Sequence, residues 1–121
     1  MSELIFKILR PTEWERAKGA ATFDGAPIDF EDGYIHFSTA DQVEETARLY
    51  FSDNPVIHIL AVDTSKLVAD KIKWEPARDG TLFPHLYAAL PMAAVNNHWT
   101  IETAEGEQHC LTTVFQDLNH D

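Results

Sequence analysis

Short apolar segments of strand length recur along the chain. Residues 4–9 and 56–62 are nearly continuous apolar runs rich in β-branched residues, which predicts buried strands. Residues 71–75 alternate polar and apolar positions, which predicts a strand with one exposed face. Further extended segments are predicted at 34–37, 81–88, 97–103 and 110–115, the last two as a C-terminal hairpin within 97–115 around Glu105-Gly106.

Two segments carry signals for a helix start. Thr12 and Glu15 have the spacing of a capping box, and Thr39 and Gln42 repeat that spacing before a second apolar face. Residues 24–33 hold Gly, Pro and Asp in the proportions of a loop. Because strands and helices do not alternate strictly, the pattern predicts a compact α+β domain with two main helices and a mostly antiparallel sheet.

Composition and charge restrict the class of protein. The 121 residues suit a single domain spanning 1–121, and 20 acidic against 9 basic residues give a net charge of −11. That charge repels phosphate backbones, so we expect no nucleic-acid partner. No apolar run reaches the roughly 20 residues of a spanning helix, and no signal peptide precedes residue 4, so no membrane partner is expected. The single cysteine, Cys110, fits a cytoplasmic protein and is interpreted as a buried strand residue.

The segment 33–39 is the first candidate for chemistry. At strand periodicity Tyr34, His36 and Ser38 share one face, while Ile35 and Phe37 point to the other. The apolar pair should face the core, which leaves the Tyr-His-Ser row towards a cleft or solvent. The strand then runs into the predicted helix at Thr39, where free backbone N–H groups favour an anion.

The segment 83–87 repeats this arrangement. Phe83, His85 and Tyr87 share a face, and Pro84 removes a ladder donor, which predicts an edge strand or a bulge. Two such rows in one small domain predict a shared pocket with aromatic walls. A single His on a strand is more often structural, and we interpret His58, inside an apolar run, as such a residue.

The same motifs resemble a known family. Gly33-Tyr34-Ile35-His36-Phe37-Ser38-Thr39, Trp74-Glu75, Asp79-Gly80 and Phe83-Pro84-His85-Leu86-Tyr87 are similar to the pattern of domain-of-unknown-function family 952 of bacteria and plants, over about residues 4–95. The resemblance implies a fold like that of the ADP-ribosyltransferase superfamily, a split, bent α+β sheet around a nicotinamide dinucleotide cleft.

The resemblance also implies roles for single residues. His36 stands where that superfamily binds a ribose hydroxyl, Ser38 and Thr39 follow as hydroxyl-bearing positions, and Tyr87 resembles the aromatic residue that stacks on nicotinamide. An NAD-like nucleotide is the ligand implied. The superfamily's late acid has no match: Glu75 lies too early in the chain, and none of the late acids stands in a comparable motif. Those late acids are Glu102, Glu105 and Glu107.

These observations lead to one main functional hypothesis. We expect a cleft that binds a nucleotide-like or other small anionic metabolite, with His36 orienting the ligand, His85 as general acid or base, and Glu75 setting the charge state of a histidine. The expected ligand-binding residues are Tyr34, Ser38, Thr39, Trp74, Phe83 and Tyr87.

Other hypotheses remain open from the sequence. The chain is alternatively a non-catalytic interaction module or a homodimer. Lys66, Lys71, Lys73 and Arg78 form the main cationic cluster, which suits an anionic ligand but is more typical of a solvated loop. A metal site at His36 and His85 is disfavoured because no His-x-His or His-Glu-x-x-His spacing occurs.

Overall fold

This computed structural model describes residues 3–118 of the chain. They contain eight strands and four short α-helices. The strands are β1 Leu4–Leu9, β2 Thr22–Phe23, β3 Ile35–His36, β4 Val56–Asp63, β5 Ile72–Pro76, β6 Leu82–Leu86, β7 Leu90–Pro91 and β8 Val95–Glu102. The helices are α1 Pro11–Ala17, α2 Pro27–Asp32, α3 Val43–Tyr50 and α4 Thr112–Leu118. Within residues 3–118 no helix has the length and apolarity needed to cross a membrane.

The strands pair into three antiparallel sheets. One has the order β1-β4-β8, a second β3-β6-β5, and β2 pairs with β7. The predicted α+β class and antiparallel pairing are confirmed. The prediction of one split sheet with two helices is wrong in detail, because the described residues form three sheets and four helices.

The first sheet is buried on both faces, so the domain has two cores. On one face Ile5, Leu9 and Leu60 pack with the apolar side of the second sheet, including Ile35 and Leu86. The opposite face packs against α3 and α4. The predicted inward orientation of Ile35 and Phe37 is confirmed, because these side chains are 2% and 3% exposed.

The segment 24–33, predicted as a loop, contains helix α2. Pro27 is the first residue of the helix, a position where a backbone N–H would have no partner within the helix, so the N–H that proline lacks is not needed. Gly33 ends the helix with a φ of 90°. The N–H of Gly33 donates to the carbonyl of Asp29 over 2.8 Å, which closes the helix. Proline and glycine therefore mark the two ends of a helix here, and the loop prediction is wrong.

The predicted hairpin at 97–115 is wrong in its second half. β8 is a strand, but residues 112–118 form α4, because Leu111, Val114 and Leu118 recur at helical spacing. Leu111 and Val114 are fully buried against the first sheet, and Trp99 Nε1 donates to Asp117 Oδ2 over 2.6 Å. Cys110 precedes the helix and is exposed, which corrects its interpretation as a buried strand residue.

Strand β6 is the central strand of its sheet, so the prediction of an edge strand at Pro84 is wrong. Pro84 still accepts a bond of 3.0 Å from the N–H of Phe37. Proline has no N–H to donate towards β3. Because β3 ends at His36, Pro84 costs the sheet a single hydrogen bond, at the end of the strand.

The two predicted helix starts are shifted by a few residues. Glu13, rather than Glu15, accepts the N–H that precedes α1, that of Arg10, over 3.0 Å. Gln42 does accept the N–H of Thr39 over 3.0 Å, as the capping-box spacing predicts, but α3 begins only at Val43.

Candidate functional site

A cleft opens where the first and second sheets separate. Phe6 of β1 and Ser38 exchange backbone bonds of 2.8 and 2.9 Å, an isolated bridge that joins the two sheets. Beside the bridge lies a cavity of about 860 Å³. Its apolar lining consists of Phe6, Ile8, Pro27, Ile28, Phe37, Tyr50, Phe51, Ala77 and Phe83, and its polar lining of Lys7, Arg10, Thr12, Glu13, Glu31, Asp32, His36, Ser38, Thr46 and His85.

Four members of the two predicted histidine rows line this cleft, His36, Ser38, Phe83 and His85, whereas Tyr34 and Tyr87 do not. β3 and β6 pair with His36 directly opposite His85, so both side chains lie on the same face of the sheet, and their ring centroids are 5.5 Å apart. The Tyr34 ring stacks on His85 at 4.1 Å and lies 4.7 Å from His36. Period-two alternation in two paired strands therefore brings three aromatic rings together.

His85 forms a pair with Glu75 on the neighbouring strand β5. Its Nδ1 lies 2.8 Å from Glu75 Oε1, and the hydroxyl of Tyr87 donates to the same oxygen over 2.6 Å. The bonds from Tyr87 and His85 lower the pKa of Glu75, so this carboxylate is ionised at neutral pH. Because the ionised Glu75 accepts a hydrogen bond at Nδ1, the neutral ring of His85 carries its proton on Nδ1.

The second ring nitrogen of His85 is open to a ligand. Among residues 3–118, Nε2 of His85 has no hydrogen-bond partner. No fully buried side-chain nitrogen or oxygen of the described residues lacks a partner, so Nε2 retains accessible surface although His85, which lines the cavity, is only 3% exposed. A lone pair on an oriented, nearly buried imidazole can accept a proton from a bound molecule.

Asp29 is the buried acid that organises the other side of the cleft. Its carboxylate lies 2.9 Å from Lys7 Nζ, accepts the N–H of Ala26 over 2.7 Å, and accepts the backbone N–H of His36 over 3.1 Å. Burial acts to raise the pKa of Asp29, but the bond from His36 and the charge of Lys7 outweigh burial and lower it to about 2. Asp29 is therefore a charged anchor between α2, β1 and β3.

His36 lies between two carboxylates of α2. Its Nδ1 is 2.6 Å from Asp29 Oδ1 and its Nε2 is 2.9 Å from Asp32 Oδ2. Both ring nitrogens are thus engaged, and a ligand reaches Nε2 only by displacing Asp32, whose side chain is 40% exposed. Asp29 and Asp32 were not predicted as site residues, because their segment was interpreted as a loop. The Pro27 and Gly33 boundaries of α2 were the signal that identifies the helix.

The remaining predicted ligand-binding residues divide into two groups. Ser38 and Phe83 line the cleft. Thr39 and Trp74 do not: the N–H of Thr39 is capped by Gln42, and Trp74 lies on the face of β5 opposite to Glu75, because neighbouring strand residues alternate. The expectation that Trp74 shares a pocket with the histidines is therefore wrong, and the N–H expected at Thr39 is occupied.

Three of the four cations of the predicted cluster lie elsewhere: Lys66, Lys71 and Lys73 are exposed and do not line the cavity. The side chain of the fourth, Arg78, lies outside the described part of the structure. The late acids Glu102, Glu105 and Glu107 do not line the cavity either. Within residues 3–118 no group of three His, Cys, Asp or Glu side chains is arranged to hold a metal ion.

A second histidine pair lies away from the cleft. His58 is 8% exposed, and its Nδ1 is 3.0 Å from Nε2 of His98 on β8. The ring of Trp14 stacks on both imidazoles, at 5.5 and 3.8 Å between centroids. The interpretation of His58 as a hydrogen-bonded structural residue is confirmed.

Comparison with known proteins identifies relatives that have no described function. No curated protein matches the chain. A crystal structure of protein CC0527 from Caulobacter crescentus is 34% identical, with a TM-score of 0.84 over 93% of this chain and 98% of that chain. A solution NMR structure of the same protein gives a TM-score of 0.76 at 34% identity, covering 92% and 95% of the two chains. The family described as "Protein of unknown function (DUF952)" matches residues 8–98, and the chain belongs to this family.

Proposed function

We propose that the chain is an enzyme that binds a small molecule in the cleft and transfers a proton at Nε2 of His85. The observation that carries this proposal is the pairing of His85 Nδ1 with Glu75, at 2.8 Å, while Nε2 has no partner among the described residues and His85 lines the cavity. An imidazole held by a carboxylate on one side and open to a ligand on the other is an arrangement that suits general acid–base catalysis.

The roles of the neighbouring residues follow from their contacts. Glu75 orients His85 and stabilises the imidazolium that forms when Nε2 takes a proton. Tyr87 positions Glu75 through its hydroxyl, and the ring of Tyr34 covers His85 and limits its motion. His36 is fixed by Asp29 and Asp32 and contacts the ligand once Asp32 moves away. Ser38 and Phe83 contribute to the cleft wall.

The charges of the cleft support a ligand with at most one anionic group. Lys7 is paired with Asp29 at 2.9 Å, which leaves Arg10, 3.7 Å from Glu13, as the other cation among the described side chains of the lining. Glu31 and Asp32 add negative charge. A ligand with several phosphates, such as the NAD-like nucleotide implied by the ADP-ribosyltransferase resemblance, is therefore the less favoured choice. A rise in melting temperature with millimolar NAD would restore it.

We also propose a class of ligand and a cellular location. The net charge of −11 supports a small-molecule ligand rather than a nucleic acid, and the single cysteine supports a cytoplasmic location.

The test uses p-nitrophenyl acetate, a small uncharged ester with an aromatic ring that suits the apolar lining. Nε2 of His85 takes a proton from water, the water oxygen attacks the ester carbonyl, and p-nitrophenolate leaves. We expect His85→Gln to lower the rate by on the order of 10²-fold, the lower end of the contribution of general acid–base catalysis, and Glu75→Gln to lower it less. His98→Gln, which removes an imidazole outside the cleft, is the control. Equal rates in His85→Gln and the wild type would overturn the proposal.

A second candidate, a protein-interaction or homodimeric module, is favoured by one observation. Four large apolar side chains are exposed on α2 and α3: Ile28, Phe30, Leu49 and Tyr50, at 49%, 63%, 52% and 57%. Sedimentation of the wild type and of Phe30→Ser decides between the two. A dimer that Phe30→Ser dissociates, and that His85→Gln leaves intact, supports this second function.

A further inference from the structure

The edge of β1 that faces the cleft carries a free pair of backbone groups. β1 is an edge strand, paired on one side with β4. Glu3 bonds to Thr64 on that side, whereas Phe6 bonds to Ser38 on the other. Backbone groups alternate in direction along an antiparallel strand, so Ile8, two residues after Phe6, also points away from β4.

The residue that would pair with Ile8 is bonded to another group. In an antiparallel ladder that begins at Phe6 and Ser38, the next bonded pair is Ile8 with His36. The N–H of His36 instead donates to Asp29 Oδ1 over 3.1 Å, which ends the ladder after one rung. Among residues 3–118 the N–H and C=O of Ile8 then have no hydrogen-bond partner.

These unpaired groups lie in an enclosed place. Ile8 is 5% exposed and lines the same cavity as His36 and His85. Buried backbone donors and acceptors are nearly always paired, by protein, water or ligand, because leaving them unpaired is costly. A donor and an acceptor on one residue of an extended edge strand match the C=O and N–H of one residue of another extended chain.

From this geometry we propose that the ligand of the cleft is a peptide-like molecule in which one residue is flanked by two amides and pairs in extended conformation with the N–H and C=O of Ile8. The inference rests on the proposed function and names its substrate class. The carbonyl of this residue accepts from Ile8 N–H, its own N–H donates to Ile8 C=O, and its apolar side chain contacts Phe6 and Phe83. The ligand thereby continues the ladder that Asp29 interrupts.

The experiment compares two probes that differ in one donor. N-acetyl-leucine N-methylamide has the leucine N–H that Ile8 C=O requires, and N-acetyl-N-methyl-leucine N-methylamide lacks it. Titrations followed by the NMR signals of the Ile8 amide and of the His85 ring give both affinities. We expect the probe with the leucine N–H to bind about three- to tenfold more tightly, as the loss of one hydrogen bond predicts.

A backbone variant isolates the other bond. Replacing Ile8 by its α-hydroxy acid turns the N–H into an ester oxygen and retains the side chain. Because this N–H points away from β4, the first sheet keeps its donors. The ester chain should bind N-acetyl-leucine N-methylamide about three- to tenfold more weakly than the wild type does.

The outcomes separate the inference from the proposed function. Equal affinity for both probes, with His85 signals that still move, overturns the amide inference and leaves the cleft as a binding site. Failure of both probes to bind at millimolar concentration also overturns the inference, and the ester hydrolysis by His85 then decides the proposed function independently.

Discussion

Asp29 and His36 are joined through a single carboxylate oxygen: Oδ1 of Asp29 lies 2.6 Å from Nδ1 of His36 and 3.1 Å from its backbone nitrogen. The same side chain neutralises Lys7, which is 4% exposed. One acid on a six-residue helix therefore fixes the positions of an edge strand and of a candidate site residue.

Replacing this acid should destabilise the fold strongly. Asp29→Asn leaves the ammonium of Lys7 buried without a counter-charge, for which a loss of about 3–5 kcal/mol in the free energy of unfolding is expected. Urea denaturation measures it. The matched control is Asp24→Asn, an exposed acid nearby, which should change stability by no more than about 0.5 kcal/mol. Similar losses in the two variants would contradict the role of Asp29.

The contribution of Asp29 should depend on pH in the acid range. Its pKa in the folded state, about 2, lies below the ordinary value of 3.8, so its stabilisation is fully present above pH 3.8 and is lost as the pH falls through 2. At about 1.4 kcal/mol per pKa unit the shift corresponds to about 2 kcal/mol. The difference in unfolding free energy between wild type and Asp29→Asn should shrink by this amount on acidification. A constant difference would show that Asp29 keeps its ordinary pKa.

Tyr87 should report on the Glu75 carboxylate. The hydrogen bond to Glu75, aided by burial, raises the pKa of Tyr87 to about 12. Glu75→Gln removes the negative acceptor, and the pKa of Tyr87 should fall towards the ordinary 10.0. Tyrosinate absorbance in an alkaline titration measures it, and Tyr87→Phe identifies the transition. An unchanged titration in Glu75→Gln would place the Tyr87 hydroxyl away from the acid.

The second histidine pair should make stability decrease below pH 6.5. Burial lowers the pKa of both His58 and His98, so the unfolded chain binds more protons once the pH falls below the ordinary value of 6.5. Stability is therefore fully present above pH 6.5 and declines below it. His98→Gln should flatten the dependence of the melting temperature on pH, while Asn97→Gln, the neighbouring exposed residue, should retain it. Parallel curves for the two variants would exclude the pair as the source.

The C-terminal helix should be integral to the second core. Leu111 is fully buried, and Leu111→Ala should lower the free energy of unfolding by about 2–5 kcal/mol through lost contacts and a cavity. Leu49→Ala, at a side chain that is 52% exposed, is the control and should change it by about 0.5 kcal/mol or less. If both variants lose the same small amount, α4 does not pack as described.

Local pattern was enough to predict strands β1, β4 and β5 and the faces that carry the histidines. Apolar runs and period two depend on the residues of one segment, and they place His36 and His85 on surfaces that pairing then brings within 5.5 Å. The roles assigned to these residues stay predictions. The sequence predicted that Glu75 contacts a histidine but not which one, because the choice of His85 depends on which strands are neighbours.

The buried acid could not be predicted from local pattern. Asp29 pairs with Lys7 across 22 positions of sequence, and a charge among loop-like residues gives no sign of burial. The error at α4 has a different cause. Leu111 and Val114 carry a helical period, but Val114 and Phe115 also favour strands, and short apolar segments suit either structure.

The Phe6–Ser38 bridge has a mechanical consequence. Within residues 3–118 it is the isolated bridge that joins the first and second sheets. One step further along the two strands, the N–H of His36 turns to Asp29, so the backbones are no longer bonded to each other there. The two bonds of the bridge, 2.8 and 2.9 Å long, therefore fix the separation of the two sheets at one end of the cleft.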